Sequence, residues 1–244
     1  MASIGFTSCC TQVIHHEGTP AGTFTTVGGL DTYTTGDEHG NSHVLVILTD
    51  IFGYKLNNTL LVADELARLG KYRVLIPDIL NNDPFEKWVL YWFLWHRPGI
   101  TTPIVDGFLS KMKQELNPKF IGAIGYCFGA KFAIPNLTET GLVDAAAVAH
   151  PSLVKESEVA RITKPILISI GADDKSFSVK LRHKTEEILA NKPDLQWEIK
   201  LFSGVPHGYA VRGDITIPQV KYAKEKTILD QINFFNSVSG HSFE

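Results

Sequence analysis

Six short stretches of this chain, residues 44–49, 73–77, 120–124, 145–149, 166–170 and 197–202, are rich in β-forming apolar residues, and they limit the folds open to it. A strand with one face in water alternates apolar and polar residues, whereas a strand covered on both faces has no polar side to present. Five of the six runs do not alternate, so they read as interior parallel strands. The sixth, Trp-Glu-Ile-Lys-Leu-Phe, is more polar and belongs nearer an edge. Parallel neighbours need a crossover of about a dozen residues or more, usually a helix, and the intervening segments supply it. Residues 57–69 carry Leu60, Leu61, Ala63, Leu66 and Ala67 at helical spacing before a stop at Gly70. Residues 104–116 do the same with Ile104, Val105, Phe108, Leu109, Met112 and Leu116. Further helices are expected over 128–137, 178–191 and 218–235, the last with Tyr222, Leu229, Ile232 and Phe235 inward and Lys221, Lys224, Glu225 and Lys226 outward. Residues 1–43, richer in Gly, Thr and His, are expected to add edge strands near 23–27 and 30–34. The fold class is α/β: a mostly parallel central sheet with helices on both faces, in one domain over residues 1–244.

Composition narrows the partners. Twenty-three Lys and Arg stand against 26 Asp and Glu, a formal charge of −3, with no basic run to neutralise phosphates, so no nucleic-acid partner is expected. No apolar run reaches the roughly 18 residues of a membrane span, and the first residues lack the basic and apolar stretches of an export signal. A cytoplasmic protein acting on a small molecule is expected, monomeric or weakly dimeric, since no coiled-coil seam appears. The three cysteines, Cys9, Cys10 and Cys127, are odd in number with two adjacent, which excludes a disulfide framework and fits a reducing compartment. Cys9 and Cys10 near His15 and His16 lack a second spaced pair of ligands, so neither a metal nor a cofactor is expected. No glycine-rich phosphate loop sits at a strand–helix junction.

The most informative stretch is Gly125-Tyr126-Cys127-Phe128-Gly129, which joins an apolar strand to a helix. It has the pattern of a nucleophile elbow with cysteine in place of serine. Glycines two residues before and after the nucleophile give room where the chain doubles back. Cys127 at a helix N-terminus meets unpaired N–H groups that favour a thiolate, and the Phe128 N–H lies in place to stabilise an oxyanion. A nucleophile needs a base, and the base an orienting acid. The strand 166–170 ends in Gly171-Ala172-Asp173-Asp174, where Asp174 is preferred as the acid and Asp173 is the alternative. The strand 197–202 leads to His207-Gly208, which supplies the base. His150, after another strand and before Pro151, reads as a buried, satisfied histidine near the pocket. In residues 85–95, Phe85, Trp88, Trp92 and Trp95 recur at helical spacing; they either pack an amphipathic helix on the core or wall an apolar pocket above Cys127, with Trp88 the substrate-binding candidate.

Taken together, Thr49-Asp50-Ile51-Phe52-Gly53, Arg73-Val-Leu-Ile-Pro-Asp78, Gly125-Tyr-Cys-Phe-Gly129 and His207-Gly-Tyr-Ala-Val-Arg212-Gly213 resemble the dienelactone hydrolase family, a branch of the α/β-hydrolases. The resemblance covers roughly residues 25 to 237. Cys9-Cys10 and His16-Glu-Gly-Thr-Pro-Ala-Gly22 resemble its fungal members in particular. The resemblance implies a Cys127–Asp174–His207 triad and an oxyanion hole from the N–H groups of Ile51 and Phe128. Asp50 stands where the family has a carboxylate that contacts the resting thiol, although bacterial members have glutamate there. Arg212 and Arg97 stand as counterparts of arginines that hold a substrate carboxylate. Cysteine-dependent hydrolysis of a small ester, lactone or thioester is the function implied. The alternative is a non-catalytic ligand-binding or regulatory protein on the same scaffold.

Overall fold

The computed structural model describes residues 13–87 and 89–241, so Cys9 and Cys10 lie outside the described residues. In chain order the elements are β1 (Thr23–Val27), β2 (Leu30–Thr35), β3 (His43–Leu48), α1 (Asn57–Gly70), β4 (Arg73–Pro77), α2 (Val89–His96), α3 (Pro98–Leu116) and β5 (Phe120–Tyr126). Then follow α4 (Ala130–Ala133), β6 (Ala145–Ala149), α5 (Glu156–Val159), β7 (Ile166–Gly171), α6 (Val179–Ala190), β8 (Trp197–Phe202), α7 (Tyr209–Arg212) and α8 (Pro218–Ser239). The strands form one sheet in the order β1-β2-β4-β3-β5-β6-β7-β8. Strands β3 to β8 run parallel, while β1 and β2 add an antiparallel edge through β2 and β4.

The apolar runs are apolar because both faces of the sheet are covered. Val44, Val46, Leu48, Ile121, Ala123, Ile166, Ile168 and Ile170 pack one way, against Val105, Phe108, Leu109 and Met112 of α3 and Leu181 and Leu189 of α6. Their neighbours Leu45, Ile47, Phe120, Ile124 and Leu167 pack the other way, against Leu60, Ala63, Leu66 and Ala67 of α1 and Val220, Ala223, Ile228, Ile232 and Phe235 of α8. The polar run β8 is indeed the outer strand.

Helices α1, α3 and α8 differ from expectation. Helix α1 keeps Gly70 as its last residue and turns left-handed at Lys71 instead. Helix α3 begins at Pro98, where a missing N–H costs nothing, and carries Pro103 inside it. Helix α8 is rotated: Tyr222 is 61% and Leu229 46% exposed, whereas Thr227 and Gln231 are buried. The reason is polar. Tyr126 on β5 donates to Gln231 Oε1 at 3.1 Å, and the Tyr209 hydroxyl shares a 3.0 Å hydrogen bond with Thr227. These buried tyrosines need partners, and α8 turns its Thr and Gln inward to supply them. Lys224, expected outward, instead reaches His16 Nδ1 at 2.8 Å.

Phe235 is fully buried and meets Tyr72, Phe120 and Phe234 edge-on or nearly so. Replacing it by alanine is expected to cost about 3–5 kcal/mol. In urea unfolding this appears as a lower midpoint with an unchanged slope.

Candidate active site

The elbow is built by close approach. A Cβ on Gly125 would stand 2.6 Å from Ala130 Cα, and one on Gly129 would stand 1.9 Å from the Leu48 carbonyl oxygen. Only glycine lets helix α4 begin this tightly against β3 and β5. The strain lies between them, at Cys127, whose φ of +50° is a left-handed conformation that a residue with a side chain adopts at a cost. Helical turns follow from Cys127 to Leu137, but as a 3₁₀ turn, the short α4 and a second 3₁₀ turn instead of one continuous helix, with Pro135 removing an N–H just past α4.

Parallel strands all end at the same edge of the sheet, and the loops after five of them carry the candidate residues to one place. Cys127 follows β5, His150 follows β6, Asp174 lies three residues past β7, His207 five past β8, and Asp50 two past β3. Cys127 Sγ lies 3.1 Å from His207 Nε2, and His207 Nδ1 lies 2.8 Å from Asp174 Oδ2. A carboxylate only accepts, so Nδ1 carries a proton and Nε2 is left to exchange one with the thiol. Asp174 is held in turn by the Ser176 N–H on Oδ1 at 2.8 Å, whereas Asp173, the alternative, is exposed. Ser152, which sequence reasoning passed over, places its Oγ 3.6 Å from Cys127 Sγ and donates its N–H to the Cys127 carbonyl. Its position in His150-Pro-Ser152, just past an apolar strand, was the available signal.

Asp50 and Arg212 form a second buried unit. Arg212 Nε donates to Asp50 Oδ2 at 3.0 Å, the Phe52 N–H donates to Oδ1 at 2.9 Å, and the guanidinium lies 5.5 Å from the centre of the Phe52 ring. Burial pushes the Asp50 carboxyl above its usual range, and Arg212 pulls it back. Burial, and then the nearby His207 and Arg212, hold the His150 imidazole well below its ordinary value, so it is neutral. His150 is buried as expected, yet neither ring nitrogen has a hydrogen-bond partner among the described residues.

Ile51 is fully buried beside Asp50, and its carbonyl accepts the Phe85 N–H at 2.8 Å; the Phe128 amide follows Cys127 directly in the elbow. Trp88 lies outside the described residues. Of the neighbouring aromatics, Trp92 is buried with its indole edge-to-face on Phe128, ring centres 5.5 Å apart, and its N–H on the Asp83 carbonyl at 2.8 Å. Tyr91 and Trp95 are exposed. Arg97 is exposed at the start of α3 and donates to the Leu94 carbonyl at 2.8 Å.

Removing one partner of a buried ion pair typically costs about 3–5 kcal/mol because the other charge stays buried. Arg212→Met is expected to lose that much stability at about pH 8. The loss is expected to shrink as pH falls, because a carboxyl with a raised folded-state pKa takes up its proton first in the folded protein. Urea unfolding at several pH values measures this, and a deficit that grows on acidification contradicts it.

Several known proteins are similar to this chain in sequence or in fold. The model of the dienelactone hydrolase family matches residues 30–239. The hydrolase tropI of Talaromyces stipitatus is 36% identical over 251 residues, covering 97% of this chain and 98% of its own. Dienlactone hydrolase 1 of Gibberella moniliformis is 32% identical over 234 residues, covering 89% of this chain and 88% of its own. The esterase Pf2001 of Pyrococcus furiosus is similar in fold, with a TM-score of 0.68 at 15% identity over 94% of this chain and 97% of that one. With an α/β-hydrolase fold and relatives of this kind, the chain belongs to the dienelactone hydrolase family and is a hydrolase acting on ester bonds.

Proposed function

We propose that residues 1–244 form a single α/β-hydrolase domain that hydrolyses a small ester, lactone or thioester by covalent catalysis from Cys127. The observation that carries this reading is the unbroken chain from Cys127 Sγ to His207 to Asp174, at 3.1 and 2.8 Å. Sγ adds to the carbonyl carbon as its proton passes to His207 Nε2, and the N–H groups of Phe128 and Ile51 stabilise the oxyanion. Collapse breaks the bond to the leaving oxygen or sulfur, which takes the proton back from His207. A water that gives its proton to His207 then attacks the acyl-thioester and releases the acid and the free thiol. Asp174 keeps the imidazole in the tautomer this cycle needs and stabilises its charged form.

The same reading assigns Arg212 to a substrate carboxylate, since a guanidinium binds one bidentately. Asp50 anchors Arg212, and without substrate the thiol already lies on His207, 3.1 Å from its Nε2. The relatives that bear the name dienlactone hydrolase favour a lactone among the three substrate classes. A cytoplasmic, reducing setting keeps the thiol active, and a monomer or weak dimer suffices because all the residues named come from one chain.

On aryl esters and lactones, Cys127→Ala is expected to lower kcat/KM by about 1,000-fold or more while circular dichroism and the unfolding midpoint hold. Undiminished turnover in that variant refutes the proposal. Asp174→Asn, which removes control of the tautomer, is expected to cost about 1,000- to 10,000-fold in kcat. Steady-state kinetics on the same substrates read both.

A further inference from the structure

The catalytic cycle leaves one buried group at the site without a task. His150 is fully buried at a left-handed φ of +40°, with both ring nitrogens unpartnered among the described residues. Its ring is nonetheless well packed. It lies nearly parallel to Tyr126 at 5.9 Å between centres and edge-on to His207 at 5.1 Å and to Tyr209 at 5.7 Å. A buried polar ring with nothing to bond costs stability, so its retention beside a reactive thiol calls for a reason.

Distances supply one. A ring nitrogen of His150, the thiol of Cys127 and a ring nitrogen of His207 all lie within 4.8 Å of one another, and all three residues are buried. One thiolate and two imidazoles suit a borderline-soft ion such as Zn²⁺ better than Ca²⁺ or Mg²⁺, which prefer oxygen. Bonds of about 2.0–2.3 Å in a tetrahedron put ligand atoms roughly 3.3–3.8 Å apart. The 3.1 Å Cys127–His207 pair needs to open slightly, and His150 needs to close by about 1.5 Å at most. The other nitrogen of His207 is already held by Asp174, the carboxylate–histidine support typical of metal ligands.

We propose that Cys127, His150 and His207 form a three-ligand site for Zn²⁺ or a similar ion, which silences the hydrolase reversibly. The inference rests on the reading of Cys127 and His207 as nucleophile and base. The ion takes the sulfur and Nε2 lone pairs that the reaction uses, and the thiol proton passes to solvent on binding. Chelation restores activity.

The test uses reduced, chelator-treated full-length protein. Co²⁺ should give a thiolate-to-metal charge-transfer band at one ion per chain, bleached by Zn²⁺, and Zn²⁺ should shift the imidazole nitrogen resonances of two histidines. His150→Phe, which keeps the ring packing, and His150→Asn, which suits the left-handed backbone, should each weaken Zn²⁺ inhibition by about tenfold or more. No charge-transfer band in the wild type, a shift in one histidine only, or equal Zn²⁺ sensitivity in either folded variant overturns the site. The wild-type spectra decide even if neither variant folds. If Cys127→Ala still turns over substrate, the catalytic reading fails while the spectra continue to report the ion.

Discussion

The turn at Cys127 is the constraint around which this molecule is arranged. One residue carries the chain from β5 into a helix, and it does so at a φ of +50° with a side chain attached. Nothing local favours that conformation. It persists because the backbone on either side is pressed against its surroundings, Gly125 on Ala130 and Gly129 on the Leu48 carbonyl, so that relaxing the turn would unseat α4 from the sheet. The thiol is therefore aimed by the core, and its direction does not depend on the mobility of a surface loop.

From that fixed point the parallel sheet does the rest. Strands running the same way deliver their following loops to one edge, so residues 80 positions apart in sequence, Cys127 and His207, come within 3.1 Å. The same edge collects charge. Arg212 is buried, which a solvated arginine would not be, because Asp50 faces it across the site, and the cost of burying each is offset by the other. Among the described residues the His150 ring nitrogens have no such partner. A site with one fully partnered histidine and one unpartnered histidine beside a thiol has chemistry left over, and that remainder points to a ligand from outside.

The strands were legible in the sequence because burial on both faces erases polar alternation, a signal that needs only local composition. β1, β4, β6 and β8 have their expected bounds, and the remaining strands differ by one or two residues at an end. The faces of helices were less legible. In α8 the inward Thr227 and Gln231 look solvent-facing by composition, and only the tyrosine hydroxyls opposite them explain the rotation. Arg97 and Arg212 are indistinguishable as residue types, yet one caps a helix end in solvent and the other lies against a buried carboxylate.

By itself the sequence determined the α/β architecture, the elbow around Cys127 and the order of candidate acid and base along the chain, because periodicity and glycine spacing are properties of neighbouring residues. Only the tertiary structure decided that Asp174 meets His207, that Arg212 is buried on Asp50, and that His150 stands beside the thiol with no hydrogen-bond partner for its ring among the described residues. Those depend on which loops the sheet order brings side by side and on which polar atoms find partners there. Such relations join residues 23 to 162 positions apart, and no local pattern encodes them.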